Sequence, residues 1–186
     1  MKKFELTTEF ITNMFGKKLF RIKALVEFGD VKAGELGGYV EKEENMSQEG
    51  NAWVSGNARV FGDARVSDNA SVSGNARVFG DASVFGDASV SGNASVSGNA
   101  SVSGNASVSG DADYALVQGF GTQFRCTTFY RDKNKKIMVN CGCFHGDLEE
   151  FRKQVKETRS GKIAKEYLMI ADLMEYHFAG EDSGDE

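Results

Sequence analysis

The sequence predicts a mainly β protein: a parallel β-helix at the centre, a β cap before it and an α+β domain after it. Three observations carry this. One hexapeptide, Gly-Asn/Asp-Ala-x-Val-Ser/Phe, runs eleven times without insertion from Gly50 to Ala115, with only Asp68 replacing the leading glycine. A fixed short period of this kind marks a solenoid. The chain has no proline to interrupt a ladder, and the period stops after Tyr114, where strand and then helix patterns follow.

Side chains alternate between the faces of a strand. In the copy Gly74 to Phe79, Ala76 and Val78 therefore point inward while Arg77 and Phe79 point outward. Gly-Asn and Gly-Asp pairs supply the corners, since glycine takes positive φ freely and Asn or Asp tolerates it. A strand this short buries little by itself, so successive coils must stack at strand spacing, roughly 4.8 Å apart.

Hexads with a branched aliphatic and a small residue at these positions resemble those of the left-handed parallel β-helix, a triangular prism with three hexads per turn. The handedness rests on that resemblance and departs from the usual right-handed crossover. Eleven hexads make a little under four coils. A period of eighteen stacks Arg59 under Arg77 and Phe61 under Phe79, with columns Trp53, Ser71, Ser89, Ser107 and Arg65, Ser83, Ser101 on the other sides. The basic, aromatic face is a candidate interface or ligand wall; short Phe-Arg stacks that merely shield the ladder are the equal alternative. The serine rows could order water, but ice-binding helices of this shape use threonine.

A net charge of −5 and a pI near 5.2 argue against a dedicated nucleic-acid binder. No apolar leader or membrane-spanning stretch is predicted, and three cysteines in a chain without an export signal suggest reduced thiols in a cytoplasm. The organisation expected is a cap over 1–49, the repeat over 50–115, an α+β domain over 116–180 and an acidic disordered tail over 181–186.

In the cap, Phe4-Leu6 and Phe20-Ile22-Ala24 alternate with polar residues as two short strands, with the turn at Gly16-Lys17-Lys18. Val40 and Met46 fall at six-residue spacing before Ala52, as two degenerate hexads would. The words Phe28-Gly29-Asp30-Val31-Lys32-Ala33-Gly34, Gly37-Gly38, Glu41-Lys42-Glu43-Glu44-Asn45 and Ser47-Gln48-Glu49-Gly50, within Ile22–Val54, resemble phage, prophage and enterobacterial hexapeptide-repeat proteins. Those proteins are usually labelled acetyltransferases or polymer-forming proteins. The resemblance implies the fold, a mobile-element origin and a trimer.

Beyond Tyr114, Phe124 to Tyr130 and Ile137 to His145 read as a hairpin turning at Asp132-Lys133-Asn134. That turn sets Cys126 opposite Cys141 and puts Phe124, Cys126, Thr128, Tyr130, Ile137, Val139, Cys141 and Cys143 on the core face. Arg125, Thr127, Arg131, Asn140 and Phe144 would then form a polar face. Asp147 with Glu150 is a capping box for a helix with the stripe Leu148, Phe151, Val155. A second helix after Ser160-Gly161 carries Ile163, Tyr167, Ile170, Ala171, Met174 and Phe178. Cys141 to Gly146, Leu148 to Phe151 and Val155 to Thr158 resemble a tail of phage hexad proteins that often has His where Arg159 stands here.

Acyltransferases of this fold draw a proton with a His, and its zinc anhydrases use three. Residues 50–115 contain no His, and the whole chain has two, His145 and His177. His145 could reach a subunit groove as a borrowed base; packing or solvent is the reading for His177. Cys126, Cys141, Cys143 and His145 suggest zinc by type, but alternate strand residues lie almost 7 Å apart, too far for one ion unless Gly142 bulges. The thiols are read as small hydrophobes.

The expectation is a non-enzymatic homotrimer without cofactor or metal that binds a host protein or a small ligand, a nucleotide among the candidates, for a phage or prophage. Its binding residues would be Arg59, Phe61, Arg77, Phe79, Arg125, Thr127 and His145. The alternatives are an acyltransferase using acetyl-coenzyme A, a sponge for a nucleotide immune signal, and a structural polymer.

Overall fold

The computed structural model describes residues 2–179, so the predicted acidic tail lies outside the described residues. The hexads form a β-solenoid of ten two-residue rungs, from Trp53–Val54 to Ser107–Val108. Each of the first seven rungs pairs in parallel with the one eighteen residues on, as Val60 does with Val78, which sorts the rungs onto three sides. The outward columns are the expected ones: Arg59, Arg77, Ser95; Trp53, Ser71, Ser89, Ser107; and Arg65, Ser83, Ser101.

Every Ala and Val of these rungs is at most 1% exposed. Fixing a residue's backbone costs roughly 1–2 kcal/mol, whereas burying one valine returns only about 1.5–3 kcal/mol. A lone hexad therefore cannot hold its shape. The ladder to the next coil makes up the difference: Arg59 N–H donates to the Ala76 carbonyl and Phe61 N–H to that of Val78, at 2.9 and 3.0 Å. At the corners the leading glycine alone takes positive φ, with Asp68 (φ 58°) the one substitute. The adjoining Asn does something else. Its amide bonds the next coil, Asn57 to Asn75 to Asn93 and Asn51 to Asn69 to Asp87, over 3.0–3.3 Å.

The cap comprises β1 (Phe4–Thr12), β2 (Lys18–Ala24) and β3 (Leu36–Val40), an antiparallel sheet that continues into the Arg59 side of the solenoid. Here the register differs from expectation. Val40 and Met46 stand opposite Val60 and Val66, twenty residues on, and not in the alanine column. The two additional residues are Gln48 and Glu49: Ser47 N–H still reaches the Val66 carbonyl, while those of Asn51 and Ala52 both reach Asp68. Gln48 uses the slack to accept from Lys3 N–H at 2.8 Å and donate to the Phe4 carbonyl at 3.3 Å. The buried Lys3 ammonium donates to the carbonyls of Glu49, Gly50 and Ala52 at 3.0–3.3 Å, and Phe4, Ile22 and Met46 close the bore. Phe61 lies under Leu19 and Tyr39 of this cap and stacks on Phe79, ring centres 5.0 Å apart.

The eleventh hexad forms no rung. Its backbone turns through a short 3-10 segment, Asp111–Asp113. Its carboxylates replace the missing ladder: Asp111 accepts from Ser95 N–H at 2.8 Å and Asp113 from Ser109 N–H at 2.9 Å. The chain then enters β4 (Tyr114–Phe120), β5 (Arg125–Arg131), β6 (Ile137–Cys141) and β7 (Phe144–Asp147), followed by α1 (Leu148–Thr158) and α2 (Gly161–Phe178). Among the described residues no helix is long and apolar enough to cross a membrane.

Two substitutions test this account. A Cβ at Gly50 would collide with the Asp68 carbonyl, whereas one at Gly56 meets the Gly74 carbonyl at 3.3 Å. Both alanine variants should lose about 1–2 kcal/mol through the left-handed backbone, and Gly50→Ala about 1–3 kcal/mol more through overpacking; equal losses in urea unfolding would contradict the insertion geometry. Lys3→Met should cost about 1–3 kcal/mol by stranding buried carbonyls, and an unchanged unfolding midpoint would show that the lysine does not hold the cap.

Candidate ligand-binding cleft

The sheet β4–β7 lies between the last coil and the helix pair, with both faces covered. Its pairing departs from the expected hairpin by one residue: Cys141 stands opposite Thr127, not Cys126, and Arg131 opposite Ile137. The loop holds three residues, Lys133 to Lys135, with Lys135 at φ 64° and Asp132 accepting from the N–H groups of Asn134 and Lys136. A one-residue slip exchanges the faces of a strand. Phe129, Val139, Cys141 and Phe144 consequently meet the helices, and Thr128, Tyr130 and Asn140 meet the solenoid. Thr127, expected on an open polar face, is only 2% exposed, and its hydroxyl donates to Cys141 Sγ at 3.1 Å. The second predicted strand is also divided: Gly142 (φ 63°) reverses the chain and sets Cys141 opposite Phe144.

On the solenoid side Asn140 Nδ2 donates to the Ser101 carbonyl at 2.8 Å and to Ser103 Oγ at 3.0 Å. Its Oδ1 therefore faces His145 Nδ1, 2.6 Å away, and two acceptors cannot pair, so Nδ1 carries the proton. The imidazole lies over the corner at Gly104, where a Cβ would be 3.3 Å from Nε2. It covers the backbone that a further coil would cover. His145 is in this way the terminal plug of one corner, with Leu116 over Gly98 at another.

On the helix side a cleft of about 130 Å³ opens. Arg125 from the start of β5 and Arg159 from the end of α1 line it, with Tyr167 of α2, Phe144 of β7, Phe151 and Gln154 of α1 and the Cys141 thiol. Among the described residues no carboxylate lines it, in a chain whose acids outnumber its bases 27 to 22. Two glycines leave room for the key groups: a Cβ at Gly142 would strike the Arg125 guanidinium, and one at Gly121 the Tyr167 hydroxyl. That hydroxyl donates to the Phe120 carbonyl at 3.3 Å, and burial raises its pKa while the two guanidinia oppose the rise. The arrangement can hold an acidic group between two cations beside aromatic rings.

The frame around the cleft is fixed by charge pairs. Arg152 joins Glu149 on its own helix to Asp172 and Glu175 on α2, at 2.6–2.9 Å. The capping box forms as expected, Asp147 accepting from Glu150 N–H at 2.8 Å and Glu150 from Asp147 N–H at 2.9 Å. Of the other candidate site residues, Arg59 and Arg77 adjoin each other on the solenoid wall among Asn57, Asn75 and Asn93. Phe61 and Phe79 stand one column away, Phe61 covered by the chain's own cap. The structure thus does not bring the seven together. Only Arg125 reaches the cleft, while Arg159 and Tyr167 lay outside the sequence-derived set because nothing in their local pattern separates them from a helix end and a core stripe. Among the described residues no three His, Cys, Asp or Glu side chains gather closely enough to hold a metal ion.

A family model described as the YdcK beta solenoid repeat matches residues 52–68 and 58–74. No protein among curated sequences matches the chain. The match and the rungs together establish a β-solenoid repeat protein.

The hydrogen bond from Lys136, with the N–H groups of Glu150 and Glu149, holds the Asp147 carboxyl below its usual range. A depressed carboxyl confers stability that is full above the unfolded value, near about pH 3.9, and is lost as pH falls through the folded one. Asp147→Asn, which keeps a capping side chain, should shrink the drop in unfolding midpoint between about pH 6 and about pH 3. A drop of unchanged size would show that this pair does not contribute.

Proposed function

We propose that this chain is a binding protein without catalytic chemistry, in which the solenoid is a rigid mast and the C-terminal sheet and helices form a head that takes a small anionic ligand. The observation that carries the reading is the cleft lined by Arg125 and Arg159 and, among the described residues, by no carboxylate. Two guanidinia beside aromatic rings favour an acid that can accept from both forks.

The same proposal includes a homotrimer, packed through the side that carries Arg59, Arg77 and Phe79. It also includes a phage or prophage origin, with sequestration of the ligand or of a host protein in the cytoplasm. The resemblance of Ile22–Val54 to phage hexapeptide-repeat proteins supports this part, and light scattering after gel filtration tests the trimer. Acyl transfer draws less support. His145 is engaged with Asn140 and set over Gly104, and His177 is an exposed residue in the last turn of α2.

Calorimetry with inorganic phosphate and acetate tests the cleft. Binding should weaken about tenfold or more in Arg125→Gln and again in Arg159→Gln, the weight of one charged hydrogen bond each. Binding that survives the double substitution would place the ligand elsewhere.

A further inference from the structure

Resting on the anionic-ligand reading, we propose that the group taken by the cleft is a single planar ring bearing one carboxylate or phosphate. The acid lies between Arg125 and Arg159, and the ring lies against Tyr167 and Phe144. Size, lining and access lead to this class.

The cleft's volume of about 130 Å³ is close to an engineered cavity of about 150 Å³ that holds one benzene. It falls well short of the roughly 300 Å³ at which pockets begin to enclose drug-sized molecules. One ring with one acid fills it; two nucleosides do not. Two cations and, among the described residues, no carboxylate match one acidic group, whose oxygens can accept the planar forks of both arginines.

The aromatic lining decides against a bare anion. Phe151 forms the floor, with its edges already engaged by Phe129, Phe144 and Tyr167 at centroid distances of 5.5–6.0 Å. Phe144 remains partly exposed above it. An acid without a ring would leave that apolar wall against water, whereas a ring removes it and gains offset or edge contacts. Gln154 and Gln123 on the rim supply donors and acceptors for polar ring atoms. The Thr127 hydroxyl fixes the Cys141 thiol beside the ring position and keeps that wall smooth.

Calorimetry on the full chain with benzoate, phenyl phosphate, acetate, inorganic phosphate and benzamide separates the possibilities. The two ring-bearing acids should bind about tenfold tighter than acetate and phosphate, with benzamide weaker still, and Phe144→Leu should bring the ratio toward one. Should that variant fail to fold, the ratio in the unaltered chain decides alone. Acetate and phosphate binding as tightly as their ring-bearing counterparts would overturn the ring and leave the anion cleft standing. Benzamide equal to benzoate, or no binding by any probe, would overturn the cleft reading as well.

Discussion

Each hexad depends on its neighbour above and below for both its backbone hydrogen bonds and the cover of its valine, and this mutual need governs the rest of the molecule. Inside the stack the need is met by repetition: Ala and Val fill the bore, glycine turns the corner, and Asn side chains bond coil to coil. At the two ends repetition fails, and the chain supplies individual solutions. Lys3 and Gln48 serve the first coil with an ammonium and an amide in place of a strand. Asp111, Asp113, Leu116 and His145 serve the last. Polar residues that look like chemistry in the sequence are here occupied in closing an open ladder, where an unpaired edge would template association.

The lower closure also builds the head. A sheet placed against the end of the solenoid has one face committed to it, through Ser101, Ser103 and Asn105. Its other face needs separate cover, and α1 and α2 provide it. Sheet and helices diverge at one edge, where the start of β5, the turn at Gly142 and the end of α1 come together. There, Arg125 and Arg159, thirty-four residues apart in the chain, face a common space. The head contributes a cleft that joins charge to aromatic surface.

The repeat was legible because its signal is local and iterated: a glycine at each corner and Val at each inward site leave one way to bury apolar surface. The two helices were legible for a similar reason, since the Asp147–Glu150 box and an apolar stripe mark a start and a face. The hairpin register was not. When both faces of a sheet are buried, alternation no longer distinguishes inside from outside, so Thr127 and Cys126 could be exchanged without offending the pattern. The two-residue slack at Gln48-Glu49 was hidden likewise, because Val40 and Met46 keep six-residue spacing on either register.

By itself, then, the sequence determined a stacked solenoid with an Ala-Val bore, a cap, and a helix pair at the end, because each of these follows from periodic burial within a few residues of chain. Only the tertiary structure decided that His145 closes a corner, that Phe61 is covered by its own cap, and that Arg125, Arg159 and Tyr167 surround one space. Those outcomes depend on which surfaces meet after the chain has reversed several times. No local propensity encodes that meeting; it is settled by the geometry with which a twisted sheet and two helices can pack against the end of a prism.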